Sequence, residues 1–212
     1  MNREWFDNVR MSGLGHTETF EATYDIARAV LARGVPGDFV ECGVYAGAQC
    51  AIMARAIMDH IATVNDYAMA EMPRVHLFDS FEGIPAAGEH DHELQGVPAG
   101  ESACSLVDVK ANMKRWGIPD ELLIYHPGMF KTSIRDAALG SVECQAMYIR
   151  AIALLRLDGD LYESTKPVME HLYPLVSPGG WVIVDDWNLS GCRKAVMETV
   201  VPAPVYWRIP TK

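Results

Sequence analysis

The feature that most constrains this chain is its alternation of short apolar runs with longer amphipathic ones. "FVEC", "VHLF", "LLIY", "IALLRL" and "WVIV" are apolar at consecutive positions, not at every second one. A strand with one face in water alternates polar and apolar residues; a run without that alternation is buried on both faces, as in a parallel sheet covered by helices. Between these runs, "TFEATYDIARAVLARG" sets Phe20, Tyr24, Ala27, Val30 and Leu31 at helical spacing and stops at Gly34. "AQCAIMARAIMDHIA", "SLVDVKANMKRWG", "YESTKPVMEHLYPLV" and "CRKAVMETV" also read as helices. Pro167 falls near a first helical turn, where its missing N–H matters least. "SPGG" reads as a turn into the strand "WVIVDD", and "APVYWRI" as an edge strand. Residues 1–212 are therefore expected to form one doubly wound α/β domain with a mostly parallel sheet.

"EGIPAAGEHDHELQGVPAGES" has no periodicity and is rich in Gly, Pro and acids, so residues 83–103 are expected to form a mobile lid loop. The formal charge of −10 argues against nucleic acid or an anionic membrane surface as partner, since both need a surplus of Lys and Arg. No apolar stretch reaches the length of a membrane span, and "MNREWFDNVRMSG" lacks a signal-peptide core, which leads to an expectation of a cytoplasmic protein. Cys42, Cys50, Cys104, Cys144 and Cys192 are scattered without a C-x-x-C, so they read as small buried hydrophobes and not as a zinc site.

In open α/β sheets, ligands bind beyond the carboxyl ends of the strands. The first strand ends in "ECGVYAGAQ", where Gly43 and Gly47 bracket the turn into a helix. The spacing is G-x-x-x-G, not the dinucleotide G-x-G-x-x-G, and Glu41 would repel a pyrophosphate while tolerating an amino-bearing ligand. Tight packing alone would also explain both glycines. Asp79, at the end of the second strand in "LFDSFEG", is placed to accept the hydroxyls of a ribose, or else Asp79 or Ser80 caps a short helix. The fourth and fifth strands end in Asp158, Asp160, Asp185 and Asp186. These strands are neighbours in the wound order, so four carboxylates meet, and an all-oxygen set suits Mg²⁺ or Ca²⁺. Asp160 with Glu163 also has the D-x-x-E spacing of a capping box, and Asp186 could cap a turn. His90 and His92 lie among acids in the loop and read as solvated; His126 and His171 have no Ser or Cys partner that would make a hydrolase triad.

"GDFVECGVYAGAQ", "HLFDSFEGIP", "LLRLDGDLYEST", "PGGWVIVDDW" and "CRKAV", in this order, resemble the macrocin-type (TylF-type) sugar O-methyltransferases over about residues 10–208. The resemblance implies a Rossmann-like class I methyltransferase fold, with a seven-stranded sheet and a C-terminal antiparallel edge strand. It implies S-adenosyl-L-methionine and Mg²⁺ as cofactors, and a small hydroxylated acceptor such as a glycoside in natural-product biosynthesis. Glu41, Gly43, Val44, Tyr45 and Gly47 would line the methionine side of the cofactor. Asp79 would bind the ribose, with Ser80 and Phe81 beside the nucleoside, and Gly128 and Phe130 would lie near the adenine or the edge of the fourth strand. Asp158, which also borders the cofactor, would hold the metal with Asp185 and Asp186, and Asp160 would be the general base. The chain starts close to its first helix, without the N-terminal extension of many members, and has a longer lead-in to the fourth strand. Both differences bear on the acceptor and on a homodimer, not on the cofactor site. A catechol-type methyltransferase would use the same acids. A nicotinamide-dependent oxidoreductase or a non-catalytic cofactor-binding protein are the further alternatives.

Overall fold

Parallel strands cannot be joined by tight hairpins, so each must return through a crossover that packs on the sheet. The structure, a computed structural model, follows that rule and describes residues 2–64, 72–139 and 148–199 and the backbone of 206–207. After α1 (Arg3–Arg10) and α2 (Thr17–Ala32), strands and helices alternate. β1 (Asp38–Cys42), α3 (Ala48–Ile61), β2 (Val75–Asp79), α4 (Leu106–Arg115) and β3 (Leu123–Pro127) form the first half. α5 (Phe130–Leu139), β4 (Ile152–Leu157), α6 (Tyr162–His171), β5 (Val176–Val184), α7 (Ser190–Thr199) and β6 (Tyr206–Trp207) form the second. The strand order is β3-β2-β1-β4-β5-β6. The chain winds outward from β1 to β3 and then crosses back to β4, so the order reverses between β1 and β4, the place where such sheets bind ligands.

Successive strand residues point to opposite faces, and this sorts the core into two layers. Phe39, Leu77, Leu154 and Ile183 pack with α1, α2, α3 and α4. Val40, Cys42, Phe78, Leu155, Leu157, Val182 and Val184 pack with α5, α6 and α7. Because both faces are covered, the strands need apolar residues at every position, which is the pattern visible in the sequence.

The edge differs from expectation. Five full strands and the two-residue β6 make the described sheet, not seven strands, and β6 pairs parallel with β5 at Val182↔Tyr206 and Ile183↔Trp207. The helix α7 between β5 and β6 returns the chain to the same end of the sheet, so an antiparallel edge is not formed among the described residues. The remainder of "APVYWRI" lies outside the described residues, as do Cys144 and most of the long lead-in to β4. "SPGG" is not a turn before β5 but lies within it. The register moves from Ile152↔Val176 to Leu154↔Trp181, so the extra residues bulge out of the ladder. Cys42, Cys50 and Cys192 are buried and all four described cysteines are free. No described helix is long and apolar enough to cross a membrane.

Candidate functional site

Strand period and register decide what gathers at the head of the sheet. Glu41 lies two residues beyond Phe39 on one face of β1, and Arg156 two beyond Leu154 on β4. They are register partners on adjacent strands, each 1% exposed. Arg156 Nη1 lies 2.8 Å from Glu41 Oε1 and 2.5 Å from Asp158 Oδ2, and Nη2 lies 2.8 Å from Asp185 Oδ1. One planar guanidinium, a group that stays charged when buried, therefore ties together carboxylates from β1, β4 and β5. The other oxygen of Glu41 accepts the Cys50 thiol at 2.6 Å. Burial pushes the Glu41 carboxyl up to about 7, against the pull of Arg156.

Leu157 pairs with Val184, so the residues that follow, Asp158 and Asp185, fall side by side, with Asp186 next. One carboxylate oxygen from each of the three lies within 4.8 Å of the others. Arg156 engages one oxygen of Asp158 and one of Asp185, which leaves their second oxygens for another partner. The crowding shifts protonation. Desolvation raises Asp186 well above the usual carboxylate range, and Asp158, Asp160 and Asp185 raise it further. Desolvation also raises Asp158, opposed by Arg156. Burial, then Asp158 and Asp185, push Asp160 up to about 7. A hard divalent cation among these oxygens would remove the repulsion, so the donor set fits Mg²⁺.

Asp160 stands in the left-handed region at φ 59°, and its N–H donates to Asp186 Oδ2 at 2.8 Å. It does not cap the next helix. The N-cap of α6 is Leu161, and the N–H of Tyr162 donates to Asp91 Oδ1 at 2.8 Å. The capping acid thus comes from the distant loop after β2, where no local spacing could reveal it.

Tyr45 (φ 48°) and Phe81 (φ 60°) are also left-handed, and Asp79 joins the turns that hold them. Its Oδ2 accepts from Val44 N–H at 2.6 Å and Tyr45 N–H at 3.2 Å, and its Oδ1 from Phe81 N–H at 2.8 Å. A carboxylate has roughly four acceptor sites, so a ligand hydroxyl would find one left. Both glycines of the first turn have structural reasons. At Gly43 (φ 94°) a Cβ would overlap the Asp158 carbonyl oxygen, and at Gly47 (φ 89°) it would meet Met113 Cε at 2.6 Å. Packing accounts for both glycines, and Gly43 also lines the cavity over the strand ends.

A cavity of about 290 Å³ opens over these strand ends. Glu41, Gly43, Val44, Tyr45, Asp79, Ser80, Phe130 and Asp158 line it, together with Asp160, Asp185 and Asp186. Gly47, Phe81 and Gly128 lie outside its lining. Two residues to which the sequence assigned no role belong to the site. Arg156 is one; a charge inside a buried apolar run, which must be paired, was its only trace in the sequence. Gln49, in the first turn of α3, is the other. It lines the cavity at 5% exposure, and neither atom of its carboxamide has a hydrogen-bond partner among the described residues. Buried amides are nearly always satisfied, so this carboxamide is left to pair with whatever water or polar group fills the cavity.

A family model described as macrocin-O-methyltransferase (TylF) matches residues 9–200. Over 174 residues the chain is 39% identical to the 8-demethyl-8-(2,3-dimethoxy-alpha-L-rhamnosyl)-tetracenomycin-C 4'-O-methyltransferase of Streptomyces olivaceus, covering 80% of this chain and 60% of the relative. It is 35% identical over 177 residues to the mycinamicin III 3''-O-methyltransferase of Micromonospora griseorubida, covering 80% of this chain and 63% of that relative. The chain thus spans about three fifths of the length of these two relatives. The solved O-methyltransferase NovP superposes with a TM-score of 0.70 at 33% identity, covering 86% of this chain and 70% of NovP.

Proposed function

The chain belongs to the macrocin-O-methyltransferase (TylF) family, and from that premise we propose that it methylates a sugar hydroxyl of a glycosylated natural product, with S-adenosylmethionine as donor and Mg²⁺ at Asp158, Asp185 and Asp186. The observation that carries the proposal is the trio of carboxylates on the wall of the cavity, with Asp160 beside them. The sugar is suggested by the rhamnosyl group in the name of the Streptomyces olivaceus relative.

The cavity has groups suited to each part of the donor. The Gln49 carboxamide both donates and accepts, which matches the ammonium and carboxylate of an amino-acid end. Asp79 keeps an acceptor site for a ribose hydroxyl. Glu41, which lines the cavity, is held by Arg156 and Cys50 and so also orders the floor of the site.

When bound, the cation supplies Lewis acidity toward an acceptor hydroxyl, which is otherwise a poor nucleophile. Arg156 fixes the relative placement of two of the three metal-holding acids from below. Asp160 is placed to receive the hydroxyl proton, with its backbone locked by Asp186. Ile84, Pro85, Met129 and Phe130 give the cavity apolar lining against which an acceptor would pack. Methyl transfer is an in-line displacement, so alignment of oxygen, methyl and sulfur is the main remaining requirement.

The test is Asp160→Asn. The variant is expected to bind S-adenosylhomocysteine and Mg²⁺ as the parent does, while turnover on a rhamnoside acceptor falls about 10²–10⁴-fold, the usual contribution of a general base. Turnover equal to the parent would remove Asp160 from the chemistry.

A further inference from the structure

The connection between β2 and α4 belongs to two places at once. Gly83, Ile84, Pro85 and Ser102 line the cavity, and the neck of the loop is closed by Ile84 N–H to Glu101 O and Gly100 N–H to Ile84 O, each 2.9 Å. Its tip lies instead on the N-terminal ends of two helices. Asp91, 2% exposed, accepts from Gly88 N–H through Oδ2 and from Tyr162 N–H, the first of α6, through Oδ1, both at 2.8 Å. Two residues on, Glu93 Oε2 accepts from the N–H (3.0 Å) and the hydroxyl (2.6 Å) of Ser190, the first residue of α7. The same hydroxyl lies 2.8 Å from the His90 carbonyl oxygen, and the His90 ring packs edge-on against Tyr162 at 4.6 Å. The helix side is built to match. At Gly191 a Cβ would overlap Asp91 Oδ1, so only glycine admits that carboxylate.

An acid at a helix N-terminus satisfies N–H groups that have no partner within the helix and meets the positive end of its dipole. What distinguishes this pair is which helices they reach. α6 follows Asp158 and Asp160 directly, and α7 follows Asp185 and Asp186. We propose that Asp91 and Glu93 are positioning residues: one loop grips the helices behind both halves of the acid cluster and joins them to the cavity wall. The cluster then reaches its metal-holding arrangement only with the loop in place. This inference rests on the metal-site reading given above.

The test uses the full chain, Mn²⁺ alone as the probe (read by electron paramagnetic resonance), and amide exchange read by mass spectrometry. Asp91→Asn keeps the shape of the side chain but turns an NH₂ toward one of two N–H donors. Gly191→Ala breaks the same contact from the helix side, leaving Asp91 intact. Both are expected to weaken Mn²⁺ binding about tenfold, as outer-shell changes at metal sites do, and to speed exchange in residues 160–164 as well as 88–95. Glu93→Gln, at an exposed position that should not disturb folding, is expected to act in the same direction more weakly. Faster loop exchange with parent-like Mn²⁺ affinity in the folded variants would overturn the proposal, because the two acids would then only cap helices. Failure of the parent itself to bind Mn²⁺ would overturn the metal-site reading instead.

Discussion

A charged side chain inside a parallel sheet must find its counter-charges on neighbouring strands, and Arg156 finds them on β1 and at the ends of β4 and β5. The acids at the strand ends were legible in the sequence, because an apolar run that stops at Asp-Gly-Asp or Asp-Asp shows both where the strand ends and what stands there. Their partners were not. Arg156 and Asp91 act through residues brought near by register or by a long loop, and no spacing encodes that. Asp160 illustrates the cost of local reading: its D-x-x-E pattern is real, yet the helix starts one residue later and takes its cap from Asp91. Gln49 gives the sharpest prediction at this scale. If its orphan carboxamide receives the amino-acid end of the donor, Gln49→Met should weaken S-adenosylhomocysteine about tenfold, the order expected for lost hydrogen bonds to a charged group. The same variant should bind 5′-methylthioadenosine, which lacks that end, as the parent does. Calorimetric titration of both ligands decides it; equal losses for the two would place Gln49 elsewhere.

Apolar patterning made some elements readable and not others. α1 buries Phe6 and Val9 and α5 buries Ile134 and Ala137, as many as the Val109 and Met113 of α4, yet only α4 was read as a helix. "SPGG" looks like a turn by composition, but pairing on either side keeps it within β5. His126 of β3 was set aside for want of a nucleophile, and it forms a buried pair with His76 of β2 instead. His76 Nδ1 lies 2.8 Å from His126 Nε2, His76 Nε2 lies 3.2 Å from Asp38 Oδ2, and His126 stacks on Phe78 at 4.0 Å. Burial, and then His76, lower His126 to about 3, whereas an unfolded histidine titrates near 6.5 (about the model-peptide value). Between these values the unfolded chain binds a proton that the native chain excludes, so stability is full above about 6.5 and falls as pH drops toward 3. Asp38, lowered by His76 and the Arg74 N–H despite its burial, loses its contribution in the acid part of the same window. Urea midpoints measured from pH 7.5 to 4 should therefore decline in the parent. His126→Phe should be less stable throughout but show a shallower decline, and an unchanged slope would remove His126 as its source.

At the scale of the whole molecule, the sheet, its switch point and its acid-lined cavity form a unit. The wound order puts β1 between β2 and β4, so Asp79, Glu41 and Asp158 converge on the cavity from three adjacent strands, and Asp185 and Asp186 join them from β5. The family match over residues 9–200 agrees with that architecture, and the edge beyond β5 is where sequence and structure part. Edge strands are short and bind on one side only, so composition constrains them weakly. The central claim is that the carboxylate trio is a cation site on which methyl transfer depends. It is tested most directly by following transfer from S-adenosylmethionine to a rhamnoside by product mass, before and after dialysis against EDTA. Transfer should cease on chelation and return when Mg²⁺ is added back; undiminished transfer in EDTA would contradict the claim.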